Sequence, residues 1–169
     1  MAEQHVSGIG SFTHNEVIAQ RSERRVAAGA RIGVVVARFN APITDRLFVG
    51  AVEALAESGV DAGRIDAVQV PGAMEIPLAV QRLMASGCSA VVALGCIIRG
   101  DTAHFDYVCR AVTDGCLRVS LDTGKPVGFG VITCDTVEQA LARAAELGSG
   151  GGHNVGADAA YAALELAIH

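Results

Sequence analysis

Four short aliphatic runs are separated by longer segments in which apolar residues recur every three or four positions. The runs that predict strands are Ile32–Ala37, Ile65–Val70, Ala90–Ile98 and Val127–Thr133. Because these runs contain little polar alternation, they are typical of strands that helices cover on both faces. Parallel strands joined by helices are therefore favoured over a two-sided antiparallel sheet.

Helical spacing predicts five helices between and after these strands. The first is expected at about 43–56, and the second follows the segment that ends at Pro77 and continues to about Ala85. The other three are expected at about 104–121, 136–147 and 156–168. Thr136 is the expected N-cap of the fourth helix. The alternation predicts a three-layer α/β/α sandwich with a central four-stranded parallel sheet. Residues 1–30 are polar without a sustained period and are predicted to be a flexible extension, whereas 31–169 are predicted to be a single domain.

Composition and charge narrow the class of protein. The 169 residues are 51% hydrophobic and 18% charged, which predicts a globular chain. A net charge of −5 lacks the broad basic field that non-specific nucleic-acid binding needs. No apolar run approaches the roughly 18 residues of a membrane span, and none follows Met1 as a secretory signal would. We therefore expect neither a nucleic-acid partner nor a membrane.

The cysteines and the single lysine exclude several chemistries. Five cysteines without CxxC spacing indicate reduced thiols in a cytoplasmic protein rather than disulfides or a zinc site. Lys125 is the only lysine and lies in a turn, which disfavours Schiff-base catalysis. The mean hydropathy of +0.39 predicts that other subunits cover part of the surface.

Polar residues cluster where the predicted strands end, which is where open parallel sheets bind ligands. These segments are 38–40, 71–75, 96–104 and 133–134. Neither a GxxxxGK[ST] nor a GxGxxG motif follows the first strand, so a P-loop or a standard NAD site is not supported. The glycine-rich segment 148–152 follows no strand and is interpreted as a flexible connection rather than a phosphate loop.

His104 is the only histidine that follows a predicted strand. A lone histidine is often structural, but Arg99 and Thr102 before it offer anion donors near a helix N-terminus. Asp106 offers a carboxylate that would orient the ring. Glu75 begins another helix, where a carboxylate either complements the dipole or accepts hydrogen bonds from a ligand's hydroxyls.

Five segments together resemble a known enzyme family. They are Arg38-Phe39-Asn40, Pro71-Gly-Ala-Met-Glu-Ile-Pro77, Gly95-Cys-Ile-Ile-Arg-Gly-Asp-Thr-Ala-His-Phe-Asp106, Pro126-Val-Gly-Phe-Gly-Val131 and Glu138-Gln-Ala-Leu-Ala-Arg143. Over residues 31–168 their order and spacing resemble the 6,7-dimethyl-8-ribityllumazine synthase family. The resemblance implies a flavodoxin-like strand order 2-1-3-4, which an N-terminal strand from a neighbouring subunit would extend.

The resemblance implies a transferase of riboflavin biosynthesis that needs no metal or organic cofactor. Its small-molecule substrates would be 5-amino-6-(D-ribitylamino)uracil and 3,4-dihydroxy-2-butanone 4-phosphate. The product would be 6,7-dimethyl-8-ribityllumazine, with release of phosphate and water. The alternative is a non-catalytic oligomer or shell that binds flavin or lumazine. A receiver-like signalling domain is disfavoured because the first strand does not end in the acidic pair that its metal site needs.

The resemblance also implies roles for individual residues. Phe39 is expected to stack on the pyrimidine, and Glu75 to accept ribityl hydrogen bonds. Ala73 and Met74 would line the ribityl pocket. The backbone groups expected at the edge of the heterocycle are those of Cys96, Ile97 and Ile98.

The phosphate and proton-transfer residues are implied in the same way. Asp101 and Thr102 would lie against the phosphate, and His104 would be the catalytic proton donor. Phe129 and Arg143 would come from a neighbouring subunit, with Arg143 as the main counter-charge of the phosphate.

Two positions depart from the family pattern. Met74 stands where an aromatic residue is common, and Val155 stands between Asn154 and Gly156 where the family usually has lysine. A second positive charge near the phosphate is therefore absent from this motif.

Assembly is the last expectation from the resemblance. Family members form pentamers, some of which pack into icosahedral shells. The segment Ala144–His153 is longer than in shell-forming members, although surface loops tolerate insertion at little free-energy cost. Because this junction would lie where pentamers meet, we expect an isolated homopentamer rather than a shell.

Overall fold

The computed structural model describes residues 29–146 and 153–167. Its strands are β1 (Ile32–Ala37), β2 (Ile65–Val70), β3 (Ala90–Ile98) and β4 (Val127–Cys134). All pairs are parallel, in the order β2-β1-β3-β4, which confirms the predicted sheet. The extra strand expected from a neighbour's N-terminus involves residues outside the described range.

The helices of the described residues cover both faces of the sheet. They are α1 (Ala41–Glu57), α2 (Ile76–Ala85), α3 (His104–Thr123), α4 (Val137–Ala142) and α5 (Val155–Leu166), with short 3-10 turns at Ala62–Arg64 and Ala73–Glu75. None of these helices is long and apolar enough to cross a bilayer.

Successive side chains of the central strands enter two separate cores, as expected for strands buried on both faces. Val34 and Val36 pack in a core that includes Leu47 of α1 and Ala160 of α5. Val35, between them, packs in the opposite core. This alternation confirms the three-layer α/β/α sandwich.

The helix α4 is shorter than its sequence pattern predicts. Thr136 is the N-cap as expected, with its Oγ1 accepting a hydrogen bond from the Gln139 N–H at 3.2 Å. The helix ends at Ala142 rather than near residue 147. The reason is that the next segment pairs with the start of α5: Val155 N–H donates to the Arg143 carbonyl at 2.9 Å, and Ala144 forms an antiparallel bridge with Asn154.

The apolar helix α5 packs directly on its own chain. A Cβ at Gly156 would collide with the Leu47 carbonyl of α1, and a Cβ at Gly128 would collide with the Ala159 carbonyl of α5. Glycine is thus required at both positions for this close approach. The buried apolar face of α5 is therefore covered by α1 and β4 of the same chain.

Candidate active site

A cleft opens at the carboxyl edge of the sheet because β3 extends beyond β1. The register of the two strands ends at Val36 and Leu94, whereas β3 continues to Ile98. The cleft has a volume of about 460 Å³. It is lined by Phe39, Asn40, Pro71, Gly72, Ala73, Met74, Glu75, Cys96, Ile97, Ile98, Gly100, Thr102, His104, Phe105 and Val108.

Most residues that the sequence assigned to the site line this cleft. They are Phe39, Ala73, Met74, Glu75, Cys96, Ile97, Ile98, Thr102 and His104. Asp101 is exposed outside the lining, in the loop before α3. Phe129 lies on the edge strand β4 and Arg143 follows α4, so both are also outside the cleft of their own chain.

Phe39 stands at the mouth of the cleft with 73% of its surface exposed. Backbone hydrogen bonds from Arg38 to Val70 and from Phe39 to Pro71, at 2.9 and 3.3 Å, extend the β1–β2 pairing beyond the strands. The loop that carries the ring is thereby held by its main chain. An exposed aromatic face on such a loop can stack on a planar ring.

Asn40 is a structural residue of the site that the sequence interpretation did not assign. Its φ of 60° lies in the left-handed region, which asparagine tolerates better than most residues. Its Nδ2 donates to the Cys96 carbonyl at 2.9 Å and thus links the end of β1 to β3. The available signal was an asparagine between a strand end and Pro42 in the first turn of a helix.

The backbone of β3 presents only alternate residues to the cleft. The Cys96 carbonyl faces the β1 side, where Asn40 already occupies it. Three residues further along the chain, the Arg99 N–H donates to the Cys134 carbonyl on the β4 side at 2.9 Å. Because backbone direction alternates along a strand, Ile97 faces β4 and Ile98 faces the cleft. Of the three backbone contacts expected with the heterocycle, that of Ile98 is the best placed.

The Glu75 carboxylate can serve both roles expected of it, a structural one at the helix start and hydrogen bonding to a ligand. Oε2 accepts a hydrogen bond from the Gly72 N–H at 2.9 Å and shapes the turn before α2. The other oxygen has no partner among the described residues, and Glu75 lines the cleft. One oxygen is therefore structural, while the other can accept a hydrogen bond from a ligand.

Arg99 was expected to bind an anion and Asp106 to orient the ring of His104, but the two side chains pair with each other. Arg99 donates to Asp135 at 2.8 Å and to Asp106 at 3.3 Å, and its guanidinium lies 4.1 Å from the centre of the Phe105 ring. These carboxylates, Asp135 first, raise the pKa of Arg99 further. Arg99 is thus engaged rather than available to an anion, and Asp106 pairs with Arg99 rather than orienting the ring of His104.

His104 is the first residue of α3 and lies exposed at the edge of the cleft. Its backbone N–H donates to Thr102 Oγ1 at 3.4 Å, which places the threonine beside the N-terminus of a 20-residue helix. The partial positive charge of that end favours an anionic group there. The geometry can bind an anion next to a group that exchanges protons.

The Cys96 thiol forms part of the wall and is not a nucleophile. Burial, and secondarily the neighbouring Cys134 thiol, raises the pKa of Cys96 to about 12. Only the thiolate is reactive, so this side chain stays protonated and inert near neutral pH.

Together, the fold and the cleft define an α/β protein with a small-molecule site at the carboxyl edge of a parallel sheet. The family model for 6,7-dimethyl-8-ribityllumazine synthase matches residues 29–169. The chain belongs to this family, which confirms the resemblance seen in its motifs and its assignment as an enzyme.

Two curated relatives carry the same family name. The 6,7-dimethyl-8-ribityllumazine synthase of Bdellovibrio bacteriovorus is 53% identical over 137 residues, which cover 80% of this chain and 73% of the relative. The enzyme of that name from Lactiplantibacillus plantarum is 52% identical over 138 residues, covering 81% and 84% respectively.

Proposed function

We propose that this protein condenses 5-amino-6-(D-ribitylamino)uracil with 3,4-dihydroxy-2-butanone 4-phosphate to form 6,7-dimethyl-8-ribityllumazine. The reaction would release phosphate and water as a step of riboflavin biosynthesis. The observation that carries this proposal is the cleft itself, which combines an aromatic face, an open strand edge, a carboxylate and a helix N-terminus with a histidine. Family membership supports the same reaction.

The pyrimidine substrate fits the part of the cleft between β1, β2 and β3. Phe39 offers a face for the planar ring, and the backbone of Ile98 offers a donor and an acceptor to its polar edge. The unpartnered oxygen of Glu75 would accept a hydrogen bond from the ribityl chain. Stacking and hydrogen bonds would thus fix both ends of this substrate.

A full positive charge would match the phosphate substrate best, and none of the described residues that line the cleft supplies one. Among the described residues, no lysine or arginine lines it, and Arg99 is already paired with two carboxylates. Thr102 and the N-terminus of α3 offer hydrogen-bond donors but no full positive charge. Following the resemblance to the family, we assign the counter-charge to Arg143 of a neighbouring copy, with Phe129 of that copy closing the cleft.

The chemistry asks for positioning and proton transfer more than for a reactive side chain. The amine of the pyrimidine substrate attacks the ketone of the other substrate, and loss of water gives an imine. Phosphate is then eliminated, and the ring closes when the ribityl-bearing nitrogen attacks the remaining carbonyl and a second water is lost. The chain would hold the two substrates in register, and His104 would donate and accept the protons that these steps move.

Mixing the purified protein with both substrates tests this function. We expect the absorbance of the lumazine product to appear and free phosphate to be released in equal amount. The control omits one substrate at a time. Absence of product together with tight riboflavin binding would instead favour the non-catalytic flavin- or lumazine-binding oligomer, for which the uncharged Val155 is the motivating feature.

A shared site requires more than one copy of the chain, and the resemblance to the family implies five. We expect light scattering to give a homopentamer, five times 17.3 kDa, in which Arg143 and the edge residue Phe129 of one copy meet the cleft of the next. A particle of sixty chains would contradict this expectation in favour of the icosahedral shell. A monomer that turns over substrate would contradict the shared site. The longer segment on which the pentamer prediction rests lies largely in residues 147–152, outside the described range.

Three further expectations stay predictions. The cytoplasmic location rests on the reduced thiols that the cysteine pattern indicates. The division into an extension (1–30) and one domain (31–169) rests on the sequence pattern. The exposed middle of β2, Ala67–Gln69, is the edge to which a neighbour's N-terminal strand would add.

A further inference from the structure

Asn154 is a buried polar residue at the start of α5 whose side chain is fully hydrogen-bonded. It is 3% exposed. Its Oδ1 accepts hydrogen bonds from the N–H groups of Gly156 and Ala157 at 2.9 and 3.2 Å. Its Nδ2 donates to the carbonyls of Ala145 and Arg46 at 2.9 and 3.1 Å.

The oxygen and the nitrogen of the Asn154 amide have different structural roles. The oxygen caps α5, as asparagine at an N-cap ordinarily does. The nitrogen connects two other segments, because Arg46 belongs to α1 and Ala145 to the chain that leaves α4. A cap needs only the oxygen, so capping does not explain the second pair of bonds.

The segment held by the nitrogen is the one that carries Arg143. Arg143 follows the last residue of α4, a helix of only six residues that cannot be stable alone. Its carbonyl accepts the Val155 N–H, and the Ala144–Asn154 bridge lies directly beside it. Its side chain is exposed, with Nη1 donating to the Gln139 carbonyl within α4 at 3.0 Å.

We propose that Asn154 is a positioning residue for Arg143: its amide nitrogen holds the Arg143 segment against α1 and α5 and thereby places the guanidinium for the phosphate substrate. This inference rests on the proposed function, which assigns the phosphate to Arg143. It adds a buried residue that touches neither substrate. Because a small displacement of a charged partner weakens its contact, the loss of this anchor should appear in phosphate binding.

Asn154→Asp separates anchoring from capping. Aspartate keeps an oxygen acceptor for the α5 cap, so the helix retains its N-cap. It has no amide donor, so the Ala145 and Arg46 carbonyls lose their partner and face a carboxylate instead. We expect the KM for the butanone phosphate to rise about tenfold, a partial loss of one charge-assisted contact, while the KM for the pyrimidine substrate stays unchanged.

Tyr161→Phe is the matched control for a merely structural effect. The Tyr161 hydroxyl donates to Glu57 Oε2 at 2.7 Å, so it also ties α5 to α1, about two turns beyond Asn154. We expect this variant to lower thermal stability without changing either KM. A similar rise of the phosphate KM in Tyr161→Phe would show that general loosening of α5 is enough, and would overturn the inference.

Measuring Arg143→Ala in parallel distinguishes failure of the Asn154 positioning role from failure of the proposed function on which it rests. If Arg143→Ala raises the phosphate KM and Asn154→Asp does not, the positioning role is wrong and the proposed function stands. If Arg143→Ala leaves that KM unchanged, the phosphate assignment itself is wrong, and the role of Asn154 falls with it. Should Asn154→Asp fail to fold, Asn154→Ser, which also caps a helix but cannot bond both carbonyls, is judged by the same criterion.

Discussion

Replacing Arg143 with alanine is expected to raise the KM for the butanone phosphate roughly 10- to 150-fold, since a hydrogen bond to a charged group contributes about 1.5–3 kcal/mol. The effect should be large because no lysine or arginine among the described residues lines the cleft. Arg99, which lies between the lining residues Ile98 and Gly100, is paired with Asp135 and Asp106. Steady-state kinetics with the other substrate saturating would measure the change.

Arg118→Ala is a suitable control for the loss of an arginine. Arg118 lies in α3 and pairs with Asp122 at 3.4 Å on an exposed face, where an ion pair contributes little. Arg143→Lys should recover part of the affinity, because it restores the charge without the two-pronged guanidinium. An unchanged KM in Arg143→Ala would mean that the phosphate binds elsewhere.

Val155→Lys is the converse of this test. The Val155 N–H is bonded to the Arg143 carbonyl, so a lysine there starts beside the backbone of Arg143. We expect a lower KM for the phosphate substrate. The half-buried Val155 also packs on the core shared by α1 and α5, so thermal unfolding should be followed alongside. A folded variant with an unchanged KM would place residue 155 outside the phosphate site.

Replacing His104 with alanine is expected to lower kcat about 100-fold, the low end of what general acid–base catalysis contributes. The reason for the low end is that positioned substrates form the imine partly unaided. Asp106, the carboxylate that could have tuned the ring, is paired with Arg99 instead. The KM values should change less than kcat, since Phe39, Ile98 and Glu75, the residues proposed to bind the pyrimidine substrate, are unaltered.

His104→Gln distinguishes proton transfer from a polar contact at the same place. Glutamine keeps hydrogen-bonding groups but cannot act as a general acid or base, so its kcat should fall like that of alanine. A kcat of His104→Ala within error of the parent would remove His104 from the mechanism. A kcat restored by glutamine would reduce its role to a hydrogen bond.

The strand ends show how far local pattern reaches into the site. Phe39, Glu75 and His104 could be placed at one edge because parallel strands present their carboxyl ends together. The local sequence pattern could not predict which distant groups hydrogen-bond to the residues around this site. Asn40 bonds to a carbonyl 56 residues away and Arg99 to a carboxylate 36 residues away. Such pairs depend on which strands become neighbours, and nothing within a single segment records that.

Local patterns along the chain account for its secondary structure and family: unbroken aliphatic runs specified β1 to β4, helical spacing specified the crossovers, and the motifs identified the family. The end of α4 and the hydrogen bonds of Asn154 depend on tertiary contacts. A longer helix is locally acceptable, but the Arg143 and Ala145 carbonyls are instead bonded by Val155 and Asn154, while Asn154 also reaches Arg46, 108 residues away. Periodicity is a property of neighbours along the chain, whereas a buried amide must be satisfied by whatever the folded chain brings within hydrogen-bond distance.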